Sequence, residues 1–282
     1  SVAFAQQYRF AATESVKKSN IPKAISLILL LGIVASLLGA NIVSVTKDFH
    51  YTTYVGSYIA MSLLTIIPFF FFIFYINEEK IELKQVKSQK SIFELLSNKN
   101  IQLSILSAGV GYTTMSTLMT ATPISMNMMH GFSLFSTGLV LQMHVVGMFL
   151  PSLITGDLIK SFGHKNMIFS GIVILTITII IHFNFETYYG YFIGLILLGI
   201  GWNFLFVSGT SLLVISYNNE DKFLAQGVND FVVFSSQALG SLSAGIILFS
   251  TSWKTLNLIC LPLLIILLLF SVFNKNKLKN AQ

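Results

Sequence analysis

From Tyr188 to Val214 the chain reads Tyr-Tyr-Gly-Tyr-Phe-Ile-Gly-Leu-Ile-Leu-Leu-Gly-Ile-Gly-Trp-Asn-Phe-Leu-Phe-Val-Ser-Gly-Thr-Ser-Leu-Leu-Val. The stretch holds no charged side chain. At about 1.5 Å per residue, a helix of this length crosses a hydrocarbon core of about 30 Å. Seven more apolar stretches of similar kind surround it: Ala24–Val45, Val55–Ile76, Ile101–Ala121, Ser133–Thr155, Met167–Phe183, Leu224–Phe249 and Leu256–Phe273. They are too long for strands and lack period-2 alternation, so a membrane β-barrel is not expected. Over all 282 residues 54% are hydrophobic and only 10% charged, far below the roughly 25% charge of soluble domains. The expected fold class is all-α: a polytopic bundle of about eight complete transmembrane helices plus the end of another.

Lysine placement orients the bundle. With loops alternating sides, all of the 17 Lys and Arg residues except Lys47 and Lys254 fall on one side. The positive-inside rule makes that side cytoplasmic, places the C-terminus there, and explains the net charge of +6 without nucleic acid. A single cysteine, Cys260, excludes a disulfide framework and any multi-cysteine metal cluster.

The chain begins with Ser1, and Ser1–Ala5 look like the tail of an apolar helix. The expected organisation is a remainder of an N-terminal half at 1–76, a central cytoplasmic loop at 77–100, a six-span half at 101–273 and a cytoplasmic tail at 274–282. Six spans after a lysine-rich central loop suit one half of a twelve-span transporter built from two repeats. Three spans and most of a fourth would then precede this sequence.

The segment Gly156-Asp157-Leu158-Ile159-Lys160-Ser161-Phe162-Gly163-His164-Lys165 resembles the G-x-L-x-x-x-x-G-[RH]-[RK] loop of the major facilitator superfamily. Lys160 stands where that family often has an acid. A narrower resemblance rests on Met115-Ser-Thr-Leu-Met119 and on His144-Val-Val-Gly-Met148 within Gln142–Ser152. These lie on the third and fourth expected spans, which would be the seventh and eighth helices of a full twelve-span transporter, and a Met-x-x-x-Met and a His-x-x-x-Met there look like the CcoA-type copper importers. The opening Gln6-Gln7-Tyr8-Arg9-Phe10-Ala11-Ala12 is also similar to them. This resemblance implies copper uptake across the bacterial inner membrane by alternating access, with Met115, Met119, His144 and Met148 handling the ion. Copper would be the transported substrate, with no permanently bound cofactor, and a copper chaperone a potential partner. Riboflavin carriers are close relatives that share the eighth-helix motif.

Chemistry gives the same residues a rationale. Side chains at i and i+4 share a helix face, and thioethers are soft, uncharged ligands suited to Cu(I). His144 lies eleven residues past Ser133, about 17 Å along its helix and near the midplane. Against this stands ordinary packing, because methionine fills irregular gaps in apolar cores. Met126, Met128, Met129 and His130, in the outer loop, form a candidate capture site with the same alternative. Asp230, Asn203 and Trp202 are candidates for lining a cavity or coupling transport. His182 and His50 are expected near the outer surface, solvated. Thr113, Thr114, Ser116, Thr117 and Thr120 make the third span rich in hydroxyls, which suits a cavity wall or bonds back to the same helix.

Three classes compete: the copper carrier, a carrier of a small organic solute such as riboflavin, and a copper-binding assembly factor that does not transport. An aromatic cavity using Trp202, Phe204 and Phe206 would favour the second. No His-Glu-x-x-His, Gly-x-Ser-x-Gly or Gly-Lys-[Ser/Thr] motif occurs, and no intramembrane carboxylate pair, so no enzymatic constellation is recognised.

Overall fold

Every regular element in a computed structural model of the protein, which describes residues 7–73 and 90–273, is helical. In chain order these are α1 (Tyr8–Glu14), α2 (Ile21–Thr46), α3 (Val55–Ile73), α4 (Ile92–Leu96), α5 (Lys99–Ile124), α6 (Leu134–Phe149), α7 (Ser152–Phe162), α8 (His164–Asn184), α9 (Tyr188–Ser216), α10 (Lys222–Ser250), α11 (Trp253–Ile259) and α12 (Leu261–Phe273). Expectations for Ser1–Gln6, for most of the 77–100 loop and for the 274–282 tail lie outside the described residues, as does the last turn of the span expected to end at Ile76.

Six stretches are long and apolar enough to cross a membrane: Lys18–Ala35, Leu134–Phe162, His164–Asn184, Tyr188–Ser216, Asn219–Ser250 and Trp253–Phe273. The apolar run of α3, Val55–Pro68, is shorter. Helix α5 is long enough but too polar, yet it is the one packed against both α9 and α10. A helix surrounded by protein needs no lipid-facing surface, and small or hydroxylated residues let its neighbours approach. Ser107 Oγ donates to the Leu205 carbonyl of α9 at 2.9 Å, and a Cβ on Gly240 of α10 would stand 2.9 Å from the Thr113 carbonyl.

The chain divides into two compact units within α2, one running to Leu31 and resuming at Lys87, the other Gly32–Val86. The smaller unit is a helical hairpin of α2 and α3. At its turn Tyr54 adopts φ +71°, and Gly56 lies against the Thr46 carbonyl where no side chain would fit. The larger unit holds the main apolar cluster, which includes Ile21, Ile25 and Leu29 from the start of α2.

Three boundaries differ from the sequence reading. The segment expected as a loop from Gly156 is helix as far as Phe162, because nothing before Gly163 breaks it; Gly163, at φ +82°, then turns the chain into α8. The span expected to end at Ala121 runs on: α5 passes through Pro123 and widens into a π turn at Ser125–Met129. The spans expected as single rods at Ser133–Thr155 and Leu256–Phe273 are each broken, at Leu150–Pro151 and at Cys260, beside prolines that cannot continue the backbone ladder.

Candidate functional site

Met115 and Met148 are buried in the main apolar cluster, and Met119 packs against it. The Met115 and Met148 side chains therefore sit in the protein interior, while Met119 is only partly covered. His144 is fully buried, and its Nδ1–H donates to the Leu195 carbonyl of α9 at 2.8 Å. Nε2 has no hydrogen-bond partner among the described residues. The stretch around it doubles as a packing surface. A Cβ on Gly199 would lie 2.5 Å from the His144 carbonyl, and one on Gly147 would lie 2.6 Å from the Ile196 carbonyl. The helices α6 and α9 thus touch backbone to backbone through these glycines. Among the described residues no group of three His, Cys, Asp or Glu side chains gathers to hold a metal.

The outer methionine group is divided. Met126 is wholly buried, whereas Met128 and Met129 are exposed on the π turn. Both ring nitrogens of His130 are engaged, Nδ1 with the Ser125 carbonyl at 2.9 Å and Nε2 with Glu186 Oε2 at 2.8 Å. His182, expected in solvent, is fully buried. Its Nδ1 pairs with Asn257 Oδ1 at 3.0 Å, and its ring sits against Gly194 and, at 5.1 Å, Trp253. Gly194 thus makes room for an imidazole.

Asn203 is a buried knot. Its Nδ2 donates to the Met148 carbonyl and to Ser152 Oγ, both at 2.7 Å, and its Oδ1 accepts from Thr155 Oγ1 at 2.7 Å. Those partners straddle the break before Pro151, so Asn203 satisfies backbone and hydroxyl groups that an uninterrupted helix would arrange differently. The hydroxyls of α5 mostly bond back to their own helix: Thr113 to Gly109, Ser116 to Tyr112 and Thr117 to Thr113, at 2.7–2.9 Å. Thr120 instead meets Ser241 of α10 at 3.1 Å.

Trp202 is nearly inaccessible and belongs to an aromatic cluster. It stacks on Phe206 with centroids 4.9 Å apart and planes at 17°. Tyr112 stands edge-on to both at 5.2 Å, and Phe149 edge-on to Trp202 at 6.1 Å. Phe204, on the same helix, is half-buried against the main cluster. Stacked and edge-on arrangements at such spacings are the favoured geometries of aromatic pairs.

That cluster runs directly into a buried ion pair. The Arg9 guanidinium lies 4.7 Å from the Phe206 centroid and is salt-bridged to Asp230 of α10. Asp230 also accepts from Gln7 Nε2 at 2.5 Å and from Asn229 Nδ2 at 3.0 Å. Both ions are buried, where one without the other would be strongly unfavourable. Sequence reading treated Arg9 only as a topology marker. The available signal was its being the sole arginine of the chain, on a segment that also resembled a family motif.

Three further contacts tie the segment containing α1 and the start of α2 to the rest of its unit. Glu14 pairs with Lys222 at 2.5 Å, Lys160 donates to Asn20 Oδ1 at 2.8 Å, and Asp157 pairs with Lys23 at 3.4 Å. A Cβ on Gly156 would stand 2.6 Å from Lys23 Cα, so the helix α7 meets α2 at backbone distance. All of these lie on the lysine-rich side.

Comparison with known proteins agrees with this architecture. Residues 8–217 and 104–281 match the model of the Major Facilitator Superfamily. The chain is 33% identical over 271 residues to the riboflavin transporter RfnT of Brucella anthropi, covering 94% of this chain and 67% of that protein. Two MFS-type transporters of Bacillus subtilis are also similar. YdeG is 39% identical over 50% of this chain and 33% of its own length, and YddS is 26% identical over 89% of this chain and 62% of its own. The matched stretches thus span between 33% and 67% of the length of these relatives. A multi-pass helical membrane architecture, the family match and a relative aligned along nearly the whole sequence lead to one conclusion: the chain belongs to the major facilitator superfamily.

Proposed function

We propose that this chain forms the larger part of a secondary transporter moving a planar aromatic organic solute across the bacterial inner membrane, with riboflavin as the first solute to test. The observation that carries this reading is the continuity of the Tyr112, Phe149, Trp202 and Phe206 cluster with the Arg9–Asp230 pair. Aromatic faces stack on a flat heterocycle, and a buried charge pair beside them orients polar ring substituents. The similarity to a riboflavin transporter supports the same choice.

Transport follows by rocking of one part against the other. On the lysine-rich side, Arg9–Asp230, Glu14–Lys222 and the Gly156–Lys23 approach hold α1 and the start of α2 against α10 and α7. Release of these contacts opens that side to the cytoplasm. Solute bound against Trp202 and Phe206 offsets the cost of parting Arg9 from Phe206 by supplying a new stacking partner.

Copper uptake, the expectation from Met115, Met119, His144 and Met148, gives way to this reading because the characterised relative carries an organic solute. The test is uptake of labelled riboflavin and of labelled copper by cells expressing the protein. Riboflavin accumulation that falls at least about tenfold in Trp202→Leu, the effect of roughly 1.4 kcal/mol, supports the proposal. Riboflavin uptake equal to that of cells without the protein, with copper uptake lost in Met115→Leu, overturns it.

A further inference from the structure

A cavity of about 680 Å³ opens on the lysine-rich side between the start of α2, the α7–α8 turn and the end of α9. Its volume is within the range of small-molecule sites. Lys18, Lys160, Lys165 and His164 contribute its polar wall, and no carboxylate is among its described lining residues. Nε2 of His164 is buried without a hydrogen-bond partner among the described residues. The other wall is apolar: Leu212 is buried at its base, while Phe162 and Ile215 remain exposed.

Position and lining together select the ligand. The walls come from the ends of membrane-spanning stretches, at the level where lipid headgroups lie. The positive-inside bias assigns this side to the cytoplasmic leaflet. Basic pockets between transmembrane helices at that level bind anionic headgroups. A free anion would use the lysines and leave Phe162 and Ile215 in water, whereas a phospholipid covers them with its acyl chains. The structure assigns this cavity to an anionic phospholipid, its phosphate held by Lys18, Lys160, Lys165 and His164 and its chains lying along Phe162 and Ile215. Such a lipid touches both the start of α2 and the α7–α8 turn, beside the Gly156–Lys23 contact. It therefore strengthens the closed arrangement of that side. The assignment does not depend on which solute is carried.

The test uses the purified full chain in neutral detergent, with lipid retention read by native mass spectrometry. Phosphatidylglycerol is expected to be retained at least about fivefold over phosphatidylcholine, and to raise the melting temperature. Lys18→Gln/Lys160→Gln/Lys165→Gln should abolish both effects, whereas the corresponding triple arginine variant should keep them. Lys18→Glu alone, at an exposed position, should lower retention about fivefold, which guards against misfolding of the triple variant. Equal retention of the two lipids overturns the assignment, as does unchanged retention in Lys18→Glu. Displacement of phosphatidylglycerol by millimolar inorganic phosphate also overturns it, since the site would then read the anion alone.

Discussion

Asn203 makes more buried hydrogen bonds than its position in an apolar run suggests, and its loss should be felt as stability. Asn203→Leu leaves the Met148 carbonyl and the Ser152 and Thr155 hydroxyls without that partner. Each buried group left unsatisfied costs about 1–3 kcal/mol. Thermal unfolding in detergent should show a loss of at least about 2 kcal/mol, well above that of an exposed substitution. Glycines offer a paired comparison at the same scale. Gly199→Ala would drive a Cβ into the backbone of α6, whereas Gly227 has nothing within 4 Å of the added atom. The first change should destabilise, and Gly227→Ala should be neutral or gain up to about 1 kcal/mol from helix propensity. Neither difference is legible in the sequence. Gly199 and Gly227 both sit within helices, and only the neighbouring helix distinguishes them.

Between elements, the Arg9–Asp230 bond joins α1 to α10 through a buried charge pair. Asp230→Ala removes the carboxylate that faces a buried guanidinium and should cost about 3–5 kcal/mol. Arg9→Lys keeps the charge but loses the planar surface that faces Phe206. It should leave folding largely intact and reduce solute uptake, a separation visible by running thermal unfolding and uptake on the same preparations. The helices themselves were readable from their apolar lengths, and all eight expected spans have helical counterparts in the described residues. What could not be read was how they interrupt. Pro151 stands at one such break, but the partner that makes the break tolerable lies 52 positions on, at Asn203. The candidate site was half legible: Trp202 and Phe206 were picked out together and Asp230 separately, while Tyr112, Phe149 and Arg9 join them only through packing between helices.

For the whole molecule, the lysine distribution yields a topology that can be measured. In a chain with Cys260 replaced by Ala, a cysteine at position 254 should react with an impermeant maleimide added outside intact cells. One at position 160 should react only after the inner face is exposed. The reverse labelling would invert the orientation. His182 shows the limit of reasoning at this scale: its place near a span end suggested water, but Gly194, Asn257 and Trp253 together enclose it.

The polarity of α5 has a consequence for how the protein is made. A helix so rich in serine, threonine and glycine gains little by leaving the translocation channel for lipid on its own. Its natural surroundings are α9 and α10, which emerge from the ribosome much later. Biogenesis therefore requires this segment to wait, sheltered by the insertion machinery, until its partners arrive. In nascent chains stopped before α9, a cysteine introduced into α5 should still react with a water-soluble maleimide, whereas in chains extended past α10 it should be protected.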